Sequence, residues 1–229
     1  MAFQAKSARI YRMTPERFHR LRDVLLRRQL DLTVLLDGVN KSHNFSALLR
    51  NCDAVGVLAV HVVPPAHGLG LHHGTSAGTK KWVNVHRHDG AASAISHLHE
   101  RGFTVIAAHP SPDAQDYRDI DYTRPVAITM GAELDGVSEA GLRLADQHVV
   151  VPMLGMVHSL NVSVATSILL FEALRQRQAA GMYDESQMPK EDFDRTLFEW
   201  AYPSIADTRR RAGRPYPALS SDGELLLDS

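Results

Sequence analysis

Cysteine is nearly absent from this chain of 229 residues: Cys52 stands alone. One thiol cannot close an internal disulfide, which excludes a stapled secreted scaffold and points to a reducing compartment. Long apolar runs are missing too. No stretch approaches the roughly 18 residues that a membrane helix needs, and charges occupy the N-terminal region where a secretory signal would place its hydrophobic stretch. The expected location is the cytoplasm, without a membrane partner. Metal-ligand sets are scarce despite 13 histidines. His86/His88 and His97/His99 are two apart, a spacing that aligns side chains on a strand but not on a helix. Neither pair is joined by cysteines or paired carboxylates, so they read as surface or RNA-facing histidines, and no metal is expected.

Net charge is also small, −1, but it is unevenly spread. Residues 1–30 hold eight bases (Lys6, Arg9, Arg12, Arg17, Arg20, Arg22, Arg27, Arg28) against Glu16 and Asp23, and residues 203–217 hold four arginines against Asp207. Two basic ends therefore flank an acidic middle. Solvated helix faces would explain either end alone. The bias toward arginine, interleaved with Tyr11, Phe18, Tyr202 and Tyr216, points to phosphate and hence to nucleic acid.

What is present is an alternating rhythm. Apolar spacing predicts a helix over 9–30, started by Thr14–Pro15. Short strands are expected at 33–36, 58–63, 82–85, 103–107, 126–130 and 148–151, separated by helices at 44–54, 89–101, 137–145 and 161–180. Gly181 is the expected C-cap of the last helix. Strands rich in Val and Ile separated by helices predict an α/β fold with a mostly parallel sheet covered on both faces. Beyond 182 the rhythm gives way to short helical pieces punctuated by prolines and an acidic tail. The expected organisation is a basic helical extension (1–30), a core (31–181) and a C-terminal extension (182–229).

Three loops concentrate polar chemistry. The first, 40–50, holds Asn44, which suits a helix N-cap, and Arg50 six residues on. The second, 130–138, holds Gly131, Ala132, Glu133 and Gly136 beyond a strand's C-terminal end, where open parallel sheets bind ligands. The third, 152–163, leads from a β-branched run through Pro152 and Gly155 into a helix by way of Ser159, Leu160 and Asn161, a junction rich in backbone N–H groups. Two other strings carry no chemistry. Gly74–Thr75–Ser76–Ala77–Gly78 matches G-x-S-x-G, but a Gly/His/Pro-rich loop precedes it and a β-like run follows, the reverse of a nucleophile elbow. Gly68–Leu69–Gly70 lacks the third glycine of a dinucleotide fingerprint, and Gly74 to Lys80 misses the phosphate-loop spacing.

The three loops, in this order, resemble the SPOUT-class RNA 2′-O-ribose methyltransferases across about residues 31–180. The flanks, Leu26–Arg27–Arg28–Gln29 and Tyr202–Pro203 through Pro217, look like the branch that methylates guanosine 18 of tRNA. The resemblance implies a C-terminal trefoil knot, S-adenosyl-L-methionine as cofactor, a homodimer and tRNA as substrate. Sister reactions on ribosomal RNA, or a silent RNA-binding module of the same fold, are the alternatives. Carried over by position, Arg50 acts at the 2′-hydroxyl, with Asn44, Glu133, Ser159 and Asn161 around it. Ala108, Gly131, Val151 and Leu160 would hold the cofactor, largely by backbone groups. Arg9, Arg12, Arg27, Arg28, Arg175, Arg177, Arg209, Arg210 and Arg211 are the expected contacts to the tRNA backbone.

Overall fold

The computed structural model describes residues 13–65 and 81–226. Arg9 and Arg12, the Gly68–Gly70 string and the Gly74–Gly78 string lie outside the described residues. The chain divides into two compact units, 27–187 and a second made of residues up to Leu26 together with 188–229.

The larger unit is a parallel sheet between two helical layers. Its elements are β1 (Leu32–Asp37), α2 (Ser42–Ala54), β2 (Ala59–Val63), β3 (Asn84–Arg87), α3 (Ala91–Glu100), β4 (Thr104–Ala108), β5 (Gln115–Asp116), β6 (Val126–Gly131), α4 (Glu139–Leu144), β7 (Gln147–Val150) and α5 (Val162–Ala179). The strand order is β3-β2-β1-β6-β4-β7-β5, and every ladder is parallel. Only the two-residue β5 is unexpected; so short a segment carries no period for a sequence to display.

Alternation along the strands sorts the core. Leu32, Val34 and Leu36 point into one cluster with Phe45, Leu48, Leu49, Leu169 and Leu170 from α2 and α5. Leu35, between them, joins Ala94, Ile95 and Leu98 of α3 on the opposite face. Covering on both faces explains why all six residues of β1 are buried, the apolar Leu32 and Val34–Leu36 together with Thr33 and Asp37. It also silences Cys52: burial pushes its thiol up to about 12, so it stays protonated and inert.

Residues 27–30 and 182–187 are bound into this unit, which shifts both expected boundaries. The Gln29 N–H donates to Gly56 O at 2.8 Å, Gln29 Nε2 to Met182 O at 3.0 Å, and the Leu30 N–H to Gln187 Oε1 at 2.8 Å. The second unit contains α1 (Pro15–Leu26), α6 (Lys190–Ala201) and α7 (Pro203–Arg211). Thus what reads along the chain as two separate extensions contributes to one unit. Pro203 ends α6 and opens α7, where its fixed φ and missing N–H cost nothing. Gly223 (φ +82°) packs on Phe18 so closely that a Cβ would lie 2.3 Å from the ring.

Two of the expected RNA contacts are wrong. Arg28 and Arg177 are 1% and 0% exposed. Arg28 donates to Asp53 Oδ1 and to Val57 O. Arg177 donates to Tyr122 O, Gln29 Oε1, Asp31 Oδ1, Asp31 O and Arg124 O, at 2.5 to 3.1 Å. A guanidinium has five N–H donors, and in Arg177 each has a protein acceptor. Both arginines are internal braces, because burial of a charge demands such partners.

Candidate active site

The C-terminal rim of the sheet gathers the loop residues. Ala108 and Gly131 are the last residues of the neighbouring strands β4 and β6, and Val151 directly follows β7 on the other side of β4. Leu160 lies two residues before α5. All four are half-buried. In a parallel sheet this rim exposes strand-end backbone groups to a ligand.

Beyond Gly131 the chain turns back on itself. Ala132 and Gly136 exchange both backbone hydrogen bonds, at 3.0 and 2.9 Å, leaving Glu133, Leu134 and Asp135 at the tip. Gly136 takes φ +69°, a conformation open to glycine. Gly131 is required for a different reason: a Cβ there would sit 1.9 to 2.1 Å from the Gly136 and Val137 backbone.

This hairpin brings Glu133 to α2. Asn44 Nδ2 donates to Glu133 Oε1, and Asn161 Nδ2 donates to Asn44 Oδ1 at 3.3 Å. Asn161 Oδ1 accepts from the Ser163 N–H at 2.9 Å and from Ser163 Oγ at 2.6 Å, capping α5. The direction of this chain is determined. A backbone N–H only donates, so Asn161 must present its oxygen to Ser163 and its NH2 to Asn44. Asn44 then turns its own NH2 to the acceptor-only carboxylate of Glu133. Three loops far apart in sequence are thereby joined through one buried amide, for Asn44 is 2% exposed.

One expectation about this region needs correcting. Asn44 is not an N-cap: α2 starts at Ser42 with Lys41 as N-cap, so Asn44 lies inside the first turn. Arg50 is exposed on α2, and among the described residues it makes no ion pair or side-chain hydrogen bond, so nothing joins it to Asn44, Glu133 or Asn161. Ser159 is likewise exposed and outside the polar chain. Asn51 has a role that none of the three loops suggests. One helical heptad after Asn44, its Nδ2 donates to Ser163 O at 2.8 Å and fastens α2 to the first turn of α5. The i, i+7 asparagine pair on one helix face is the signal the sequence offers for it.

Of the other expected RNA contacts, those among the described residues are accessible. Arg27 is exposed. Arg175 is exposed and forms a bidentate pair with Glu172. In α7, Arg210 bonds Glu199, Arg211 pairs with Asp207, and Arg209 reaches Pro215 O.

His86 and His99 are exposed, and four of the described histidines cluster. His61 of β2, buried at 4% exposed, gathers His86, His88 and His97 around it with ring centroids 5.0 to 5.5 Å away. His61 Nδ1 and His88 Nε2 share a hydrogen bond at 2.8 Å. Burial, and then the neighbouring imidazoles, bring His61 down to about 3. Among the described residues no group of His, Cys, Asp or Glu is arranged to hold a metal ion, and no helix is long and apolar enough to cross a membrane.

Residues 31–171 match the SpoU rRNA Methylase family, and 175–228 match its C-terminal region. The chain is 46% identical over 219 residues, 95% of its length and 96% of the relative's, to the tRNA (guanosine(18)-2′-O)-methyltransferase of Escherichia coli strain K12. Among solved structures, the Aquifex aeolicus TrmH/SpoU tRNA modifying enzyme superposes with a TM-score of 0.76 at 42% identity, covering 83% of this chain and 97% of that one. An AdoMet-bound rRNA methyltransferase from Sinorhizobium meliloti superposes with a TM-score of 0.58 at 30% identity, covering 68% and 59%.

Proposed function

Because this chain belongs to the SpoU rRNA methylase family, we propose that it transfers a methyl group from S-adenosylmethionine to a ribose 2′-hydroxyl of tRNA, that of guanosine 18. The observation that carries the reading is the polar chain Ser163–Asn161–Asn44–Glu133, built at the sheet rim beside a helix that also bears the uncommitted guanidinium of Arg50.

The rim fits a sulfonium nucleoside. The space a side chain would need at Gly131 is filled by backbone, which brings main-chain donors and acceptors close to whatever rests there. Ala108, Gly131, Val151 and Leu160 would hold the cofactor through such groups. When bound, the cofactor supplies an electrophilic methyl group, so the protein needs neither a covalent intermediate nor a metal for the displacement. The task left to side chains is to aim and ready a weakly acidic hydroxyl. A guanidinium titrates above about 12 and stays charged. Arg50 therefore clamps the adjoining phosphate and stabilises negative charge growing on the 2′-oxygen. Glu133, held by Asn44, and Asn161 with Ser159 set the position of the ribose and of the methyl donor.

The reading extends to assembly and partners. Val164 and Phe171 lie seven apart on one side of α5, 47% and 50% exposed, and Leu154, Met156 and Val157 of the preceding loop are exposed as well. Apolar surface of this kind is covered by association, here by a second copy in a homodimer, and the loop 152–160 is threaded as a trefoil knot. Arg27, Arg175, Arg209, Arg210 and Arg211, with Arg9 and Arg12, contact the tRNA backbone in the cytoplasm.

The test is incubation with S-adenosylmethionine and unmodified tRNA, followed by mass-spectrometric mapping. One 2′-O-methylguanosine at position 18 is expected. Methylation of ribosomal RNA alone would move the reading to the sister reaction. No methylation, and no cofactor binding by calorimetry, would leave a silent RNA-binding module.

A further inference from the structure

Asp37 ends β1 and is buried, 5% exposed. A buried carboxylate persists only with hydrogen-bond donors around it. Its Oδ2 accepts from the Ser138 N–H at 2.9 Å. Ser138 in turn caps α4, its Oγ accepting from the Gly141 N–H at 3.1 Å. In the sheet Asp37 is in register with Gly131. The hairpin that carries Glu133 is therefore tied to one residue of β1 at both feet: Gly131 lies beside Asp37 in the ladder, and Ser138 hangs from its carboxylate. Gly141 closes on the same group, since a Cβ there would lie 2.9 Å from Asp37 Oδ2 and 2.7 Å from Val137 Cγ1.

We propose that Asp37 is a positioning residue for methyl transfer, anchoring the 131–138 hairpin so that Glu133 reaches Asn44 and the Gly131 backbone stays open to the cofactor. This rests on the methyltransferase reading above. It acts through the hairpin and takes no part in the displacement itself. Asp37→Ala releases the Ser138 end. Asp37→Asn keeps an acceptor oxygen for the same N–H. Gly141→Ala, which on an ordinary helix would help, pushes against the carboxylate instead.

The experiment compares the wild-type enzyme with Asp37→Asn, Asp37→Ala, Gly141→Ala and the Asp37→Ala/Gly141→Ala pair, measuring kcat, both KM values and thermal unfolding. For Asp37→Ala, kcat/KM toward S-adenosylmethionine is expected to fall roughly tenfold to a hundredfold, the scale of a small misplacement of reacting groups, while KM for tRNA holds. Asp37→Asn recovers most of the loss. Gly141→Ala lowers kcat/KM in the same direction, and the pair loses less than the two single losses combined, because the carboxylate that Gly141→Ala crowds is already gone. A folded Asp37→Ala with unchanged kcat/KM would overturn the proposal, as would Asp37→Asn no better than Ala. If Asp37→Ala does not fold, a well-folded Gly141→Ala with an unaltered kcat/KM for S-adenosylmethionine overturns it. A wild-type protein that methylates no RNA defeats the underlying reading instead, so the two failures are distinguishable.

Discussion

The two ends of α5 use polar side chains in opposite ways. At its C-terminal end Arg177 spends all its donors on Gln29, Asp31, Tyr122 and Arg124 and is sealed from solvent. At its N-terminal end Asn161 starts a chain that runs through Asn44 to the partly exposed Glu133. Arg50, on the helix packed against α5, remains uncommitted there. A saturated guanidinium can only brace the fold. An unsaturated one beside an ordered amide chain is available to an incoming phosphate.

Breaking the first end should have the largest effect. Arg177→Ala leaves the Asp31 carboxylate and several carbonyls without their donor, and a loss of about 3–5 kcal/mol is expected, read from chemical unfolding. Turnover of the fraction still folded should match the wild type. Arg50→Ala is the mirror image. Turnover should drop by about 10²–10³, as for removal of one donor to developing negative charge. Its unfolding free energy should stay within about 0.5 kcal/mol, the range for exposed sites, and affinity for the demethylated cofactor should not change. Equal stability losses in the two variants would erase the contrast.

Protonation can do at His61 what mutation does at Arg177, namely leave a buried charge without compensation. Its neighbours from β3, α3 and the adjoining loops are His86, His88, His97 and Arg101, with Asp89 the acidic group facing His88. The folded protein holds His61 near 3, below its value of 6.5 in the unfolded chain. Below 6.5 the unfolded state therefore binds more protons. The stabilisation is complete above pH 6.5 and is lost as pH falls toward 3, at up to about 1.4 kcal/mol per pH unit from this residue. Unfolding followed from pH 7.5 to 5 should show that slope, and His61→Gln should flatten it.

Asn161→Ala sharpens the comparison from inside, because it removes a helix cap and the middle link of the polar chain together. A stability cost of about 1 kcal/mol is expected, with a drop in turnover beyond what that cost explains. The smallest effect should come from Arg209, Arg210 and Arg211 changed together to Ala. Binding to tRNA weakens, and the slope of log affinity against log salt flattens by about 0.7–0.9 for each phosphate no longer neutralised. An identical slope would remove α7 from the RNA surface.

Much of this was legible along the chain. Val/Ile-rich runs spaced by amphipathic stretches announced the strands and helices in order, and a glycine-bearing loop beyond a strand end announced where Glu133 would stand, though not that the chain returns on itself there. Arginine counts announced the polyanion but could not say which arginines face it. Arg28 and Arg177 look no different in sequence from Arg27 and Arg175, and only burial separates them. The same holds for Asp37, an ordinary residue until register brings Ser138 to it, while Asn51 is marked only by its heptad spacing from Asn44 until helix packing brings Ser163 to it.

What the order of residues determined by itself, then, is whatever depends on neighbours within a few positions: periodicity, caps, turns and the chemistry available in each loop. What only the folded chain decided is which polar groups are paired. A hydrogen bond forms over about 3 Å, whereas Asn44, Glu133 and Asn161 are separated by up to 117 residues, a distance closed by sheet order and by the packing of α2 against α5.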